Sequence, residues 1–474
     1  MARTSRFLAP LMTLALLLSS AALVLPPQQV LAANEVWDVR MEFTAIPTGG
    51  NWLEPNPLVF GSSATATTGF DGAPNDIVAP GAAPAPNDAY AYFTSSSSNC
   101  REERQPYLGP NPGDSLSWTL RLIADSAGAS SLNLDWGDIA GVASFPLDAS
   151  IVLSGGGQTI NMRTQQTATY SSGSNYTLTI TVTRLGTPDE VWVDDDWCET
   201  EATDGEVVGD GYVFGYNAFC GIQDGVDAIE ADDPDDGGTV HVISSEGSAE
   251  YSPFTISENN VEVLGEDGAV VSGGATIDHA NGVTIQNLEF SGTVYCNNTT
   301  DTNLVDLSVT GLGGGNGINI DGAEETVTID NASVMGFANG INVVEDTAII
   351  TNSAIWNCTN GIRAALDADV TLTGSDIWSC TNGVYLISTS RATVNGCCNI
   401  YNNNYGFYGD SSATLTAHGN SVYDNYVYGA LWLSSGTADC HCLPRATGTS
   451  RFEIAATPAE AGTAASAIRP SVDL

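Results

Sequence analysis

Glu325, Asp346 and Asp367 follow one another at equal intervals along the chain, with Asp369 and Arg391 close behind. Evenly spaced carboxylates do chemistry only if the chain carries them to one face. Stacked about 5 Å apart, the distance between neighbouring strands, they repel, and each raises the other's pKa unless a cation lies between them. Ca2+, with its preference for oxygen ligands, is the natural ion, so Glu325, Asp346, Asp367 and Asp369 form one candidate metal set. The same face with Arg391 is a candidate for acid–base work on a glycan, where paired carboxylates flank the bond to be broken. The alternative is three loop acids spread in solvent.

A second group is aromatic. Tyr401, Tyr405, Tyr408, Tyr423, Tyr426, Tyr428 and Trp432 crowd a short stretch near the end of the chain. Exposed rings stack on sugars, so Tyr405, Tyr408, Tyr426, Tyr428 and Trp432 are candidate ligand-binding residues. The other reading is that many of them cover the fraying end of a domain. Cysteine offers less. Cys440-His441-Cys442 and Cys397-Cys398 suggest metal ligands but lack a second spaced half. Cys358 and Cys380, each just before Thr-Asn-Gly, are either buried small hydrophobes or a bridged pair. Asp194, Asp195 and Asp196 suit a cation or the backbone amides of a cap.

What positions these residues is a repeat. Asn316-Gly317, Asn339-Gly340, Asn360-Gly361, Asn382-Gly383, Tyr405-Gly406 and Tyr428-Gly429 recur at a nearly constant interval. Each pair leads into a short β-branched or aromatic run, and a second run, such as Val327-Thr328-Ile329 or Val370-Thr371-Leu372, comes half a period earlier. A fixed period with short alternating runs and turn residues between them indicates a solenoid of strands, since no unit buries its apolar face alone. The expected fold is a right-handed parallel β-helix of about nine coils, at about 22 residues per coil. Like residues then stack, and Asn339, Asn360, Asn382 and Asn404 are expected to form a column at a left-handed corner, each amide bonded to the next.

The period is absent before residue 185. Residues 1–32 read as an export leader: Arg3 and Arg6, an apolar run from Leu11 to Leu25, then Val30-Leu31-Ala32 at a cleavage point. No later stretch is apolar enough to span a membrane. Residues 33–186 alternate in short strands such as Leu116–Leu122 and Tyr176–Val182, which suggests an antiparallel accessory β-sandwich serving as spacer or carbohydrate-binding module. Residues 187–238 form a junction, 239–442 the solenoid, and 443–474 a disordered tail without an evident cap, as in a shortened chain. Charge narrows the partners. Thirteen basic residues, all Arg, face 56 acidic ones, for a net charge of −43. Such a surface disfavours nucleic acid and anionic membranes.

The junction carries the most specific motifs. Val193-Asp194-Asp195-Asp196 is followed by Phe219 and then Ile222-Gln223-Asp224-Gly225-Val226-Asp227-Ala228, in which Ile222, Val226 and Ile229 share one helical face. This order resembles the entry to secreted right-handed β-helix proteins of the pectate-lyase-like superfamily, including the NosD-like proteins, over residues 190–442. The resemblance implies a strand and helix capping the first coil. Cys198 and Cys220 flank that cap and, in an exported chain, read as a disulfide pair. The resemblance also implies that polysaccharide chemistry must be considered. The absence of Lys excludes a Lys-based lyase, and Arg363 and Arg391 fall at different phases of the repeat. The glycosidase and esterase motifs of the superfamily are missing; Ala417-His418-Gly419 is the nearest approach. The expectation is therefore an extracellular or cell-surface β-helix protein that binds a polysaccharide or cell-surface glycan without turnover, its oligomeric state open. The alternative is a lyase or glycosidase for acidic glycans, working through Glu325, Asp346, Asp367 and Arg391 with or without Ca2+.

Overall fold

The computed structural model describes residues 36–47, 57–67, 70–78, 89–95, 98–123, 129–229, 237–244, 250–266, 268–322, 326–433, 436–443 and 452–455. The leader expected at residues 1–32 lies outside these, and so does Glu325. No helix among the described residues is long and apolar enough to cross a membrane.

Eleven strands between Trp37 and Arg184 join in one sheet, ten along a continuous hydrogen-bonded path and Ile77–Val78 pairing with Ser98–Gln105 beside it. The strand Trp37–Pro47 links two layers, pairing with Leu58–Ser62 through its first half and with Ala129–Asp135 through its second. Alternation puts Trp37, Phe60, Phe93, Trp118, Leu120 and Leu134 into one buried cluster between the layers. All pairings in this sandwich are antiparallel except that of Leu58–Ser62 with Ser98–Gln105, which is parallel. Buried Arg163 lies 4.8 Å over the Phe145 ring and donates to the Ala149 and Gly205 carbonyls, tying the sandwich to the junction.

The solenoid begins with Glu190–Val193, which pairs in parallel with Gly238–Val242. The helix Ile222–Ile229 buries Ile222, Val226 and Ile229 over this first coil. Gly225 is required there, because a Cβ would lie 2.9 Å from Val193 Cγ2. Cys198 and Cys220 are joined by a disulfide, their Cα atoms 5.7 Å apart. The cap thus covers apolar side chains that the first coil would otherwise expose.

Beyond it the chain winds through three parallel ladders. One runs from Val261–Gly265 to Thr437–Leu443, one from Glu250–Tyr251 to the end of Thr414–Tyr423, and one from Phe254–Ile256 to Phe452–Ala455. The third ladder holds ten strands, one more than the nine coils expected. Its last strand lies in the stretch read as a disordered tail, and pairs with Tyr428–Leu433. Inward positions stack Ile on Val on Leu into a single core that runs from the cap to the last coils.

The repeated Gly has a steric cause. A Cβ on Gly340, Gly361, Gly383 or Gly406 would meet the carbonyl oxygen of the corresponding Gly one coil on at 2.5–2.6 Å. The left-handed corners lie elsewhere, at Gly336, Asn357, Ser379, Asn402 and Asp424. Asn339, Asn360 and Asn382 instead open strands, three residues after a corner. Asn404 is not in their column: Asn382 pairs with Tyr405, because that coil is longer by one residue than the coil before it.

Candidate functional site

Two rows on the ten-stranded ladder, half-buried except for buried Asn342, come together from different coils. The first is Asn316, Asn339, Asn360, Asn382, Tyr405 and Tyr428; the second is Asn319, Asn342, Arg363, Tyr385 and Tyr408. Amides bind the polar part. Asn339 donates to Asn316 at 2.8 Å, Asn360 to Asn339 at 2.8 Å, and Asn382 to Asn360 at 2.7 Å. In the second row Asn342 donates to Asn319 and Arg363 to Asn342, both at 2.7 Å. Asn316 joins the rows by donating to Asn319. The amides of each row therefore point the same way along the solenoid, an arrangement in which successive bonds polarise one another.

Arg363 stands where amides give way to rings. Its guanidinium forms no ion pair with a described carboxylate. Its neighbour one coil on is Tyr385. Tyr385 and Tyr408 meet edge to face at 5.3 Å and 63°, and Tyr405 meets Tyr408 at 5.3 Å and 72°. Tyr405 and Tyr428 are nearly parallel, 6.2 Å apart. Burial raises the Tyr408 hydroxyl pKa, with the charges of Tyr385, Asp410 and Tyr405 adding to it. The patch thus offers hydrogen-bonding amides, one guanidinium and half-buried rings within a few coils.

A second aromatic group follows another ladder. Trp356, Trp378, Tyr401 and Tyr423 stack in parallel on four consecutive coils, with centroid separations of 4.9, 5.9 and 5.1 Å. Both faces of Trp378 and of Tyr401 are covered by neighbouring rings. At these two rings only edges remain for a ligand.

The sequence-based candidates divide accordingly. Tyr405, Tyr408 and Tyr428 lie on the mixed face. Tyr426 is 76% exposed and belongs to no ring cluster. Trp432 is a core residue, 1% exposed, with its indole N–H donated to the Ala413 carbonyl. Tyr385 and Arg363, not among the binding residues read from the sequence, complete the patch. Counting back one coil from Tyr408 reaches Tyr385, and a second coil reaches Arg363, so the signal was present in the repeat.

The acidic set does not assemble among the described residues. Thr347, and not Asp346, is the residue that pairs with Asp369, and Asp346 and Asp367 stand one position out of step with the coil between them. A slip of one turns a side chain from one face to the other. Asp346 is accordingly buried at 3% exposure, whereas Asp367 is exposed at a left-handed corner. Asp369 has Arg391 beside it one coil on, with no ion pair between them. Asp346, Asp367 and Asp369 form no three-acid cluster among the described residues. Among the described residues the three-acid group close enough to hold an ion is Asp194, Asp195 and Asp196. There Asp194 accepts from the Asp196 amide at 3.1 Å, and burial raises its pKa.

Residues 274–442 match a family model described as a right handed beta helix region. The solenoid is a right-handed β-helix. No curated protein matches the chain. Among solved structures, the β-helix protein is similar to the A-module of an Azotobacter vinelandii mannuronan C-5 epimerase, at 14% identity and a TM-score of 0.29, over 50% of this chain and 94% of that one. A pectate lyase aligns at 9% identity and a TM-score of 0.26, over 45% of this chain and 72% of its own. The catalytic domain of a GH87 α-1,3-glucanase aligns at 9% identity and 0.25, over 77% and 97%. At such scores no residue role passes from them to this chain.

Proposed function

We propose that this β-helix protein binds a glycan on the mixed face, through Tyr385, Tyr405, Tyr408 and Tyr428 together with Arg363 and the Asn amides, and that it does so without turnover. The observation that carries the reading is the row Asn342–Arg363–Tyr385–Tyr408 on four consecutive coils. Planar amides and a guanidinium suit sugar hydroxyls, and rings that meet edge to face leave faces for the sugar's C–H surface. Coils advance about 4.8 Å, comparable to one unit of an extended glycan, so consecutive coils can hold consecutive sugars.

Binding without turnover is favoured because, of the carboxylates considered for catalysis, Asp346 lies in the core and Asp367 in solvent. The leader-like residues 1–32 support an exported protein that meets its glycan outside the cell. A glycan array with the purified protein tests the reading, run beside a reducing-end assay on the same glycans. Retained glycans without new reducing ends, with retention weakened in Arg363→Ala and Tyr408→Ala, are expected. New reducing ends, or retention unaffected by both substitutions, would overturn it.

A further inference from the structure

Beneath the mixed face runs a buried column at which side chains tie one coil to the next. In its later coils Asn403 Oδ1 accepts from the Cys380 amide at 2.9 Å, and Asn425 Oδ1 accepts from the Asn403 amide at 3.1 Å. One step earlier the column holds Cys380 over Cys358, 5% and 6% exposed. That step lacks the Asn tie. Each thiol turns to a carbonyl of its own coil, Cys358 to Trp356 at 3.3 Å and Cys380 to Trp378 at 3.4 Å. Both thiols are free in the structure.

We propose that Cys358 and Cys380 form a second disulfide, made by thiol–disulfide exchange with a small-molecule disulfide before the two coils close. The geometry permits it. The pairs on either side, Trp356/Trp378 and Asn360/Asn382, are in register, which places the two cysteines at the same point of adjacent coils. Neighbouring coils lie about 4.8 Å apart, inside the roughly 4.4–6.8 Å between Cα atoms that a disulfide spans. Their separation in sequence equals that of the Cys198–Cys220 bridge.

The exchange begins at one thiolate, here that of Cys358. It attacks the small disulfide, forming a mixed disulfide and releasing one thiol. Cys380, deprotonated in turn, attacks Cys358 Sγ and releases the second thiol. Two protein thiols and one disulfide become one protein disulfide and two small thiols. The product supplies the inter-coil tie that Asn403 and Asn425 supply further on. Two other buried thiols stack on different residue types: Cys398 sits over Ser375 and under Asn420, and Cys440 over Ala417.

Trypsin tests this directly, because Arg363 is the one Arg or Lys between the pair. The full chain is purified without reductant, alkylated while denatured, and digested without reduction. The peptide of residues 364–391 contains Cys380 and no other cysteine. It is expected joined to residues 185–363, two hydrogens lighter than the separate peptides, and freed by reductant. Cys358→Ser should abolish the joined species and expose Cys380 to label, whereas Cys296→Ser should leave it intact. An unlinked 364–391 peptide carrying alkylated Cys380 in the wild type would overturn the proposal. So would a link that survives Cys358→Ser. The wild-type map decides the matter even if a variant fails to fold.

Discussion

Two aromatic groups sit on this solenoid, built from the same kinds of residue at the same period, yet they offer a ligand different things. In the ladder Trp356–Trp378–Tyr401–Tyr423 the rings lie within 9° of parallel, so the inner rings spend both faces on each other. On the mixed face Tyr385 and Tyr405 meet Tyr408 at 63° and 72°, which leaves the faces of Tyr385 and Tyr408 without a parallel neighbour. The difference begins in sequence. The ladder keeps an aromatic at one position for four coils, whereas the mixed row passes from Asn342 to Arg363 to Tyr385. Repetition makes a self-satisfied column; variation along the row makes a surface that still has interactions to offer.

The comparison breaks most directly at Trp378. Trp378→Ala removes two stacked contacts and is expected to lower unfolding free energy by about 2 kcal/mol, read by denaturant titration, while glycan retention stays unchanged. Loss of binding there would reverse the roles assigned to the two groups. Tyr385→Ala combined with Tyr408→Ala should do the opposite. Affinity for the retained glycan falls about tenfold, equivalent to about 1.4 kcal/mol, measured by isothermal titration, with a smaller change in stability.

The sandwich supplies a contrast in pH. Burial, then the charge of Asp76, pushes the Glu103 carboxyl up to about 7 from an ordinary 4.5. Between those values the folded chain keeps a proton that the unfolded chain has lost. Its stabilisation is therefore complete below about pH 4.5 and fades as pH rises toward 7. Glu103→Gln should flatten that slope, worth on the order of 1 kcal/mol, in melts at pH 5 and pH 7.5. Binding on the mixed face should not follow it. The smallest effect is expected at Tyr426, whose ring is exposed and belongs to no cluster. Tyr426→Ala should change stability by less than about 0.5 kcal/mol and leave retention as it was.

Most of the architecture was legible because a solenoid writes its geometry into its period. The Asn-Gly pairs, the half-period runs and the cap helix with Ile222, Val226 and Ile229 all correspond to structure. The site was legible only as far as register was. Coils differ in length by a residue or two, so a constant interval in sequence is not an alignment in space. Asp346 and Asp367 demonstrate it: one is buried and the other exposed. Asn404 failed for the same reason. Trp432 was misplaced because the position that holds Gly409 one coil earlier is an inward one, where a Cβ would meet the indole at 2.3 Å. The parallel pair in the sandwich was hidden, since alternation reports which face a residue takes and not the direction of its partner.

The carbonyl-to-glycine contacts at the start of each strand in the middle coils also limit how such a chain can change length. They leave no slack along the axis, so a complete turn is the unit that can be gained or lost while every later residue keeps its own side. Removing the block from Asn339 to Thr359 would bring Asn360 directly onto Asn316, like for like. Deleting one amino acid inside a strand of that block, and not at a corner where coils already differ in length, would turn the residues beyond it in that strand to the wrong face. A gene for this protein can therefore be shortened or extended by recombination between repeats far more safely than by small insertions.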